Sequence, residues 1–104
     1  MAQFDVYQNT DPASLVTFPL LLDVQHNLHQ SLTTHTVVPL LHSQILSQSM
    51  PKLCPILAVD GVNYIMSTPE LAVYPIRDFG PKITSLSDAR STILNAIDFL
   101  LTGF

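Results

Sequence analysis

The sequence predicts a mainly β protein of the α+β class, in which short antiparallel strands form a small barrel-like sheet and one α-helix follows them. Apolar runs rich in β-branched residues recur through residues 4–76, and turn residues separate them. Prolines inside several of these runs favour short, bent strands over a flat sheet. From Leu86 onward, apolar residues recur every three or four positions, which is typical of one helix face. The 104 residues are expected to form a single domain over residues 1-104.

The first two predicted strands lie within the first quarter of the chain. Alternation of apolar and polar residues predicts a strand at residues 4–7. The turn residues that come next predict a loop over residues 8–15. Residues 16–25 are apolar and extended, and Pro19 within them indicates an edge strand or a bulge.

The middle of the chain alternates between polar and apolar segments. Residues 27–34 are polar and have no regular period, so they predict a connection. The β-branched run at residues 36–41 predicts another strand. Residues 43–52 are polar and contain a proline, which favours a loop with a helical turn.

A β-hairpin is the clearest local signal. Two apolar runs, residues 54–59 and 62–66, flank the pair Asp60-Gly61. Both of these turn residues accept the positive φ that a tight two-residue turn requires. The hairpin is therefore predicted with its turn at this pair.

The last third of the chain changes from strand to helix periodicity. Residues 69–72 predict one helical turn, and residues 73–76 predict a further short strand. The helical spacing over residues 86–104 predicts an amphipathic helix of about four turns. Ser85 or Ser87 could cap its start.

Charge and composition exclude several classes of protein. Only 12% of the residues are charged, and the net charge is -4 with four cations. Nucleic-acid binders need clustered cations to neutralise phosphates, and binders of anionic membranes need them too, so neither partner is expected. The scarcity of charge has two explanations that composition leaves open. Neutral polar side chains could solvate the surface, or part of the surface could be hidden in a partner.

The termini and cysteine usage indicate a cytoplasmic protein. No basic n-region with a long apolar stretch begins the chain, and no apolar run approaches the ~20 residues that span a bilayer. Cys54 is the single cysteine, so no internal disulfide supports secretion.

No enzyme mechanism emerges from the reactive side chains. His26 and His29 have a spacing that two metal ligands could share, but no third ligand stands near them, and His35 and His42 are isolated in sequence. Cys54 lies among apolar neighbours and is expected to be a buried, inert thiol. No carboxylate pair and no glycine-rich phosphate loop is present. We therefore expect no metal and no cofactor.

Two features near the end of the chain suggest a binding surface. Phe99 lies on the opposite side of the predicted helix from Ile93 and Ile97, so it is either scattered exposure or a partner contact. Phe104 is an apolar residue directly after Gly103. Its side chain could pack back onto the domain or stay exposed for a partner.

Several segments match one known family in order and spacing. They are Gln3-Phe4 with Val6-Tyr7, Asp23-Val24-Gln25, Val37-Val38-Pro39-Leu40, Met66 with Thr68, and Tyr74-Pro75-Ile76. The longest match comprises Leu86-Ser87, Arg90, Ile93 and the unbroken stretch from Asn95 to Phe104. In these segments the chain resembles the CcdB family of toxins from bacterial toxin–antitoxin systems, over its whole length and without a large gap.

The resemblance implies both a fold and an activity. The implied fold is a small homodimer whose subunits have an SH3-like antiparallel barrel, a short extra sheet and a C-terminal α-helix. The implied activity is the poisoning of DNA gyrase, in which the toxin binds the A subunit and traps the enzyme with its DNA cleaved. A CcdA-like antitoxin is expected as the second partner. The toxin itself is then a binding protein and not an enzyme.

The resemblance also implies where the partners bind. The last three residues of the family, typically Trp-Gly-Ile, carry toxicity, and Thr102 here departs from the tryptophan while the glycine and an apolar end are kept. The expected gyrase-binding residues are Leu28, His29, Asp98, Leu101, Thr102, Gly103 and Phe104. The expected antitoxin-binding residues are Gln8, Asn9, Thr10 and Asp11.

Two alternatives remain beside the gyrase poison. Endoribonuclease toxins such as MazF and Kid share the implied fold, but an RNA groove needs cationic and acid–base groups, and four cations with a net charge of -4 make a poor one. A degenerate, non-toxic member that only binds antitoxin is the other. The departure at Thr102 keeps this alternative open.

Overall fold

In the computed structural model, which describes residues 1–43 and 50–103, seven strands form one curled antiparallel sheet. The strands are β1 (Asp5–Asn9), β2 (Leu20–Asp23), β3 (Thr34–His42), β4 (Ile56–Val59), β5 (Val62–Met66), β6 (Ala72–Pro75) and β7 (Phe79–Ser85). One α-helix, α1 (Arg90–Thr102), follows them. This half-barrel with a single helix confirms the predicted mainly β, α+β fold.

The strand order across the sheet is β4-β5-β3-β2-β1-β7. β3 is the longest strand and has two partners along the same side. Its second half pairs with β5, and its first half pairs with β6, a short strand that lies off the main strand order. The sheet curls because β5 and β6 both pair with β3 along one side. β4 and β7 are its two edge strands.

The core lies between the concave face of the sheet and the helix. Ile93 and Ala96 are the buried residues of α1, three positions apart on one face. They pack against side chains that alternate inward along the strands. The rest of this core cluster is Phe4, Val6, Leu20, Leu22, Val38, Leu40, Leu57, Val59 and Met66.

Three predicted boundaries in the first half of the chain were wrong. The first strand begins at Asp5 because Phe4 has a φ of +72°, which no strand residue adopts. It runs on through Asn9, so the loop predicted over residues 8–15 begins only at Thr10. Residues 12–17 are turns, and the second strand is confined to Leu20–Asp23.

Other predicted elements have outcomes that differ by segment. The β4–β5 hairpin is confirmed, with φ of +50° at Asp60 and +81° at Gly61. The predicted helical turn is a 3-10 turn at Thr68–Glu70. β7 was missed, because its glycine and proline hide the strand pattern. Most of the loop predicted over residues 43–52 lies outside the described residues.

The helix starts later than its apolar period suggests. A 3-10 turn at Ser87–Ala89 precedes α1, and Ala89 occupies the N-cap without a side-chain hydrogen bond. The capping prediction is therefore wrong: the Ser85 hydroxyl accepts the Ser87 N–H at 3.3 Å, one turn before the helix proper. Among the described residues, no helix is long and apolar enough to cross a membrane.

Candidate binding site

The end of α1 exposes an apolar side chain beside polar ones. The Leu101 side chain is 76% exposed, and Asp98 and Thr102 are exposed as well. The Thr102 hydroxyl donates to the Asp98 carbonyl of the same helix at 2.8 Å. Towards solvent, the hydroxyl oxygen is therefore available only as a hydrogen-bond acceptor. An exposed leucine held on a rigid helix is a suitable centre for a protein contact.

Gly103 ends the helix in the left-handed conformation. Its φ is +79°, and its N–H donates to the Phe99 carbonyl at 2.9 Å. A glycine has no Cβ to oppose this φ, which makes it the usual residue just past a helix. Gly103 thereby redirects the chain at the exposed end. Phe104 lies outside the described residues.

Phe99 is not the exposed aromatic that the helix geometry suggested. It is half-buried, and the Lys52 ammonium lies 4.8 Å from the centre of its ring. The segment before β4 therefore covers this side of α1. Helical periodicity could not reveal this, because the covering residue comes from 47 positions earlier in the sequence.

A second exposed apolar side chain stands on the connection between β2 and β3. Leu28 is 81% exposed in a 3-10 turn, Asn27–His29, and His29 is exposed beside it. The His26 ring nitrogen Nδ1 accepts the Leu28 N–H at 3.0 Å and caps the turn. The Asn27 side-chain oxygen accepts the Gln3 N–H at 2.8 Å. The turn is thus fixed although its leucine faces solvent.

The gyrase-binding residues predicted from the sequence fall on two surfaces. Leu28 and His29 belong to the β2–β3 connection, whereas Asp98, Leu101 and Thr102 belong to the end of α1. No hydrogen bond joins the two surfaces in the part of the chain that the structure describes. The exposure of both leucines fits an interface role, and Leu28 does not pack in the core.

The predicted antitoxin-binding residues lie at the end of β1 and in the turn after it. Gln8 and Thr10 are exposed, whereas Asn9 is only 6% exposed. The Asn9 amide donates to the Ser14 hydroxyl and to the Phe18 carbonyl, both at 2.9 Å. Asn9 therefore shapes the turn from inside.

Asp11 completes this turn. Its N–H donates to the Asn9 side-chain oxygen at 2.9 Å, and its carboxylate accepts from the Ser14 hydroxyl at 2.9 Å and from the Ala13 N–H at 3.2 Å. The Ser14 hydroxyl also lies 3.0 Å from the Tyr74 hydroxyl on β6. The exposed side chains of this segment are accordingly carried on a well-bonded scaffold.

The spacing of His26 and His29 raises the question of a metal site. No three His, Cys, Asp or Glu side chains among residues 1–43 and 50–103 converge as metal ligands. The rings of His26 and His29 lie 6.4 Å apart, edge to face. Cys54 is half-buried and not buried as expected.

Sequence reasoning missed two buried polar clusters. His35 and Asp23 are both fully buried, with Nδ1 2.8 Å from Oδ2. Asp5 is buried between the Tyr7 hydroxyl at 3.2 Å and the Lys82 ammonium at 3.4 Å. His35 looked isolated because its partner is on the neighbouring strand, 12 positions away. Pairing the two predicted strands was the one signal that could have joined them.

The Asp5 cluster changes the acidity of its tyrosine. Burial and the negative charge of Asp5 raise the pKa of Tyr7 far above its ordinary value, and the Asp23 charge adds to the effect. Tyr7 therefore keeps its proton in the folded protein at neutral pH, and its hydroxyl donates to the Asp5 carboxylate.

A groove of about 530 Å³ opens between the two ends of the sheet. Residues 56–58 of β4 line one side, and Thr84 and Ser85 of β7 with the following Leu86 line the other. The charged side chains in its lining are Asp60 and Asp88. Two carboxylates without a cation would repel a phosphate backbone.

Comparison with solved structures finds the same fold among endoribonuclease toxins. One is an endoribonuclease from mycobacterial species, with 14% identity, a TM-score of 0.71 and coverage of 97% of this chain and 90% of that one. A second, an endoribonuclease in complex with its cognate antitoxin from mycobacterial species, has 14% identity, a TM-score of 0.73 and coverage of 97% and 94%. Mycobacterium tuberculosis toxin MazF-mt6 has 15% identity, a TM-score of 0.74 and coverage of 93% and 95%. At these identities the likeness establishes the fold alone.

The sequence itself identifies the family. The search of curated proteins returned no match. The family model described as CcdB protein matches residues 3–103, which include Leu28, Leu101 and every strand and helix described above. The chain therefore belongs to the CcdB family of toxin–antitoxin toxins.

Proposed function

We propose that this protein is the toxin of a type II toxin–antitoxin system that poisons DNA gyrase. As a homodimer in the bacterial cytoplasm, it binds the gyrase A subunit and traps the complex in which DNA is cleaved. A CcdA-like antitoxin neutralises it. The observation that carries this proposal is the match to the CcdB family over residues 3–103.

The positions of the reactive groups support a binding role over a catalytic one. The acid–base pair found among the described residues, Asp23 with His35, has no exposed surface. A general base must come within hydrogen-bond reach of the proton that it removes, so this pair cannot reach RNA without opening the sheet. The groove at the sheet ends carries Asp60 and Asp88, which disfavour an RNA backbone.

The gyrase contact is proposed at the two exposed surfaces. The end of α1 contributes Leu101 as its apolar centre, with the remaining residues of the proposed contact around it. A few central side chains dominate the free energy of most protein interfaces, and exposed leucines fit that role. The full proposed set is Leu28, His29, Asp98, Leu101, Thr102, Gly103 and Phe104.

The antitoxin contact is proposed at the turn after β1, through Gln8, Thr10 and Asp11, with Asn9 holding the turn in shape. A solved relative of the same fold is an endoribonuclease bound to its cognate antitoxin, which supports an antitoxin as partner. The carboxylate of Asp11 and the chain's net charge of -4 favour a basic antitoxin segment.

A gyrase cleavage assay tests the proposal. Purified toxin is incubated with gyrase and supercoiled DNA, and linear DNA is counted after detergent and protease treatment. The wild type is expected to accumulate linear DNA, and Leu101→Ser and deletion of residues 103–104 are expected to reduce it at least about tenfold. Val16→Ser is the matched control, because Val16 is 84% exposed and lies outside the proposed surfaces. Linear DNA that is unaffected by both changes would contradict the site.

An endoribonuclease is the second candidate, because the solved relatives with this fold include MazF-mt6 and other endoribonuclease toxins. The same preparations are incubated with a mixed RNA substrate. RNA cleavage without trapped gyrase would replace the proposed function with this one. Antitoxin binding with neither activity would identify a non-toxic member of the family.

A further inference from the structure

The buried His35 ring lies between two hydrogen-bond acceptors. Its Nδ1 is 2.8 Å from the Asp23 carboxylate, and its Nε2 is 3.1 Å from the Gln30 carbonyl oxygen. Both His35 and Asp23 have no exposed surface. The ring is therefore held at both nitrogens, once by a strand and once by the β2–β3 connection.

These two contacts fix the number of protons. A carbonyl oxygen can only accept, so Nε2 must carry a hydrogen. An ionised carboxylate can also only accept, so Nδ1 must carry one too, and a ring with both hydrogens is an imidazolium. A neutral ring beside an ionised Asp23 would leave one buried contact between two acceptors. The geometry thus requires one bound proton more than that neutral arrangement.

The groups around His35 favour the same number of protons on the Asp23–His35 pair. On β1, Asp5 is buried and Tyr7 remains protonated, and on β7 the Lys82 ammonium pairs with Asp5 but is 54% exposed. On β6, Tyr74 stands opposite His35 in the register. The uncharged Phe79 ring lies edge-on to the His35 ring at 5.6 Å.

Charge balance follows from this arrangement. The Lys82 ammonium pairs with Asp5, and the ion pairs found among the described residues give Asp23 no partner other than His35. Without a proton on the Asp23–His35 pair, the interior would contain a carboxylate that no positive charge compensates. Such a charge is strongly disfavoured in a dry environment.

The ring connects to both ends of the β2–β3 connection. The second Asp23 oxygen accepts the Gln25 N–H at 3.0 Å, and the Gln30 amide donates to the Gln25 carbonyl at 2.7 Å. The Gln25 amide in turn donates to the His29 carbonyl at 2.6 Å, and its oxygen accepts the Thr36 N–H at 2.9 Å. His35 is the buried end of a network that shapes the turn bearing the exposed leucine.

We propose that the Asp23–His35 pair holds one bound proton in the folded protein and thereby positions the β2–β3 connection that presents Leu28 and His29. Loss of that proton loosens the connection. The part that concerns binding rests on the proposed function, since it assumes that Leu28 and His29 contact gyrase.

Nitrogen NMR of the histidine rings tests the proton directly. In the wild type, His35 is expected to show both nitrogens protonated, as its two acceptor contacts require. Asp23→Asn should give a neutral His35 with its hydrogen on Nε2, because the asparagine amide can donate to Nδ1 while its oxygen still accepts from Gln25. A neutral His35 beside an ionised Asp23 carboxylate, read from the carboxyl carbon shift of Asp23, would overturn the proposal.

Hydrogen exchange tests the positioning. In His35→Ala, exchange of the Gln25 and Thr36 amides is expected to accelerate about tenfold or more. In Asp23→Asn it should stay close to the wild type. His42→Ala is the matched control, since His42 is on the same strand but outside the pair. Equal acceleration in His42→Ala, or none in His35→Ala, would overturn the positioning role.

Gyrase trapping separates this inference from the proposed function. If the wild type traps gyrase, His35→Ala should trap at least about tenfold less gyrase, whereas Asp23→Asn should trap about as much as the wild type. If the wild type fails to trap gyrase, the proposed function fails. The nitrogen spectra and the exchange rates still decide the proton and its role.

Discussion

Gly80 lies where β7 passes so close to the end of β1 that a side chain does not fit. An added Cβ would stand 2.9 Å from the Thr10 methyl and 3.1 Å from both Cβ and the carbonyl oxygen of Gln8. Gly80→Ala is therefore expected to lower the free energy of unfolding by about 1–3 kcal/mol, measured by urea denaturation. The double variant with Thr10→Ser, which removes the methyl, should recover part of the loss. Stability equal to the wild type in Gly80→Ala would contradict this packing.

Tyr7 predicts a specific loss of stability in alkali. Its pKa is raised by burial and by Asp5, so above about pH 10 the unfolded chain releases a proton that the folded chain keeps. Ionisation of Tyr7 should therefore leave the free energy of unfolding unchanged below that pH and lower it above that pH. Tyr7→Phe is expected to make this fall shallower, as measured by urea titrations at successive pH values. Tyr64→Phe, the control, should keep the steep fall.

Some residue roles could not be predicted from the sequence. His35 and Asp23 each look unremarkable alone, and only the β2–β3 pairing places their side chains together in a buried site. Leu28 shows the opposite case. The family resemblance predicted an interface role, and the structure adds the exposure that such a role requires.

At the scale of elements, the β4–β5 hairpin depends on its second turn residue. Gly61 has a φ of +81° with open space around its missing Cβ, so the cost of a side chain there comes from the backbone alone. Gly61→Ala should cost about 1 kcal/mol of unfolding free energy. Asp60→Asn should change stability by less than about 0.5 kcal/mol, because asparagine accepts the same turn conformation. Equal losses in both variants would contradict the turn type.

The end of α1 offers a test by addition. Thr102 stands where the CcdB family typically has tryptophan, and tryptophan can stack on an arginine of the partner for about 1–2 kcal/mol. If the proposed function holds, Thr102→Trp should strengthen gyrase binding about tenfold, as measured by calorimetry. Thr102→Val, which keeps the size of threonine, should bind within about threefold of the wild type. No gain in Thr102→Trp would place Thr102 outside the contact.

Local patterns predicted the elements unevenly. The hairpin and the helix have strong signals of their own, an aspartate-glycine turn and a three-to-four-residue period. β7 contains Gly80 and Pro81, which read as a turn, and it is a strand because β1 supplies a partner. β3 extends beyond its β-branched run because β6 pairs with its first half. In both cases the tertiary partner, absent from any local window, decided the outcome.

At the scale of the whole molecule, stability and binding are expected to depend on different leucines. Leu22→Ala should cost about 2–5 kcal/mol of unfolding free energy, because Leu22 has no exposed surface. Leu101→Ala, at a side chain that is 76% exposed, should change it by less than about 0.5 kcal/mol. Under the proposed function, gyrase binding falls in Leu101→Ala although its melting temperature is unchanged. A loss of several kcal/mol of unfolding free energy in Leu101→Ala would place this side chain in the core.

Exposed aliphatic side chains bear on the two explanations of the low charge. Val16, Leu28, Val73 and Leu101 are each more than 60% exposed, on four different parts of the surface. Neutral polar residues therefore do not account for the whole surface. Leu28 and Leu101 lie in the proposed gyrase contact, so part of this uncharged surface is assigned to a partner, whereas Val16 and Val73 lie outside the proposed surfaces.

The place of β1 in the sheet has a consequence for how the protein is made. Residues 5–9 are synthesised well before one of their two partner strands, residues 79–85. The sheet therefore cannot be completed until residues 79–85 have left the ribosome, and the helix that carries Leu101 has no finished surface to pack on before then. A protein that harms its own host would gain a delay from this order, since a half-made chain has no folded binding end.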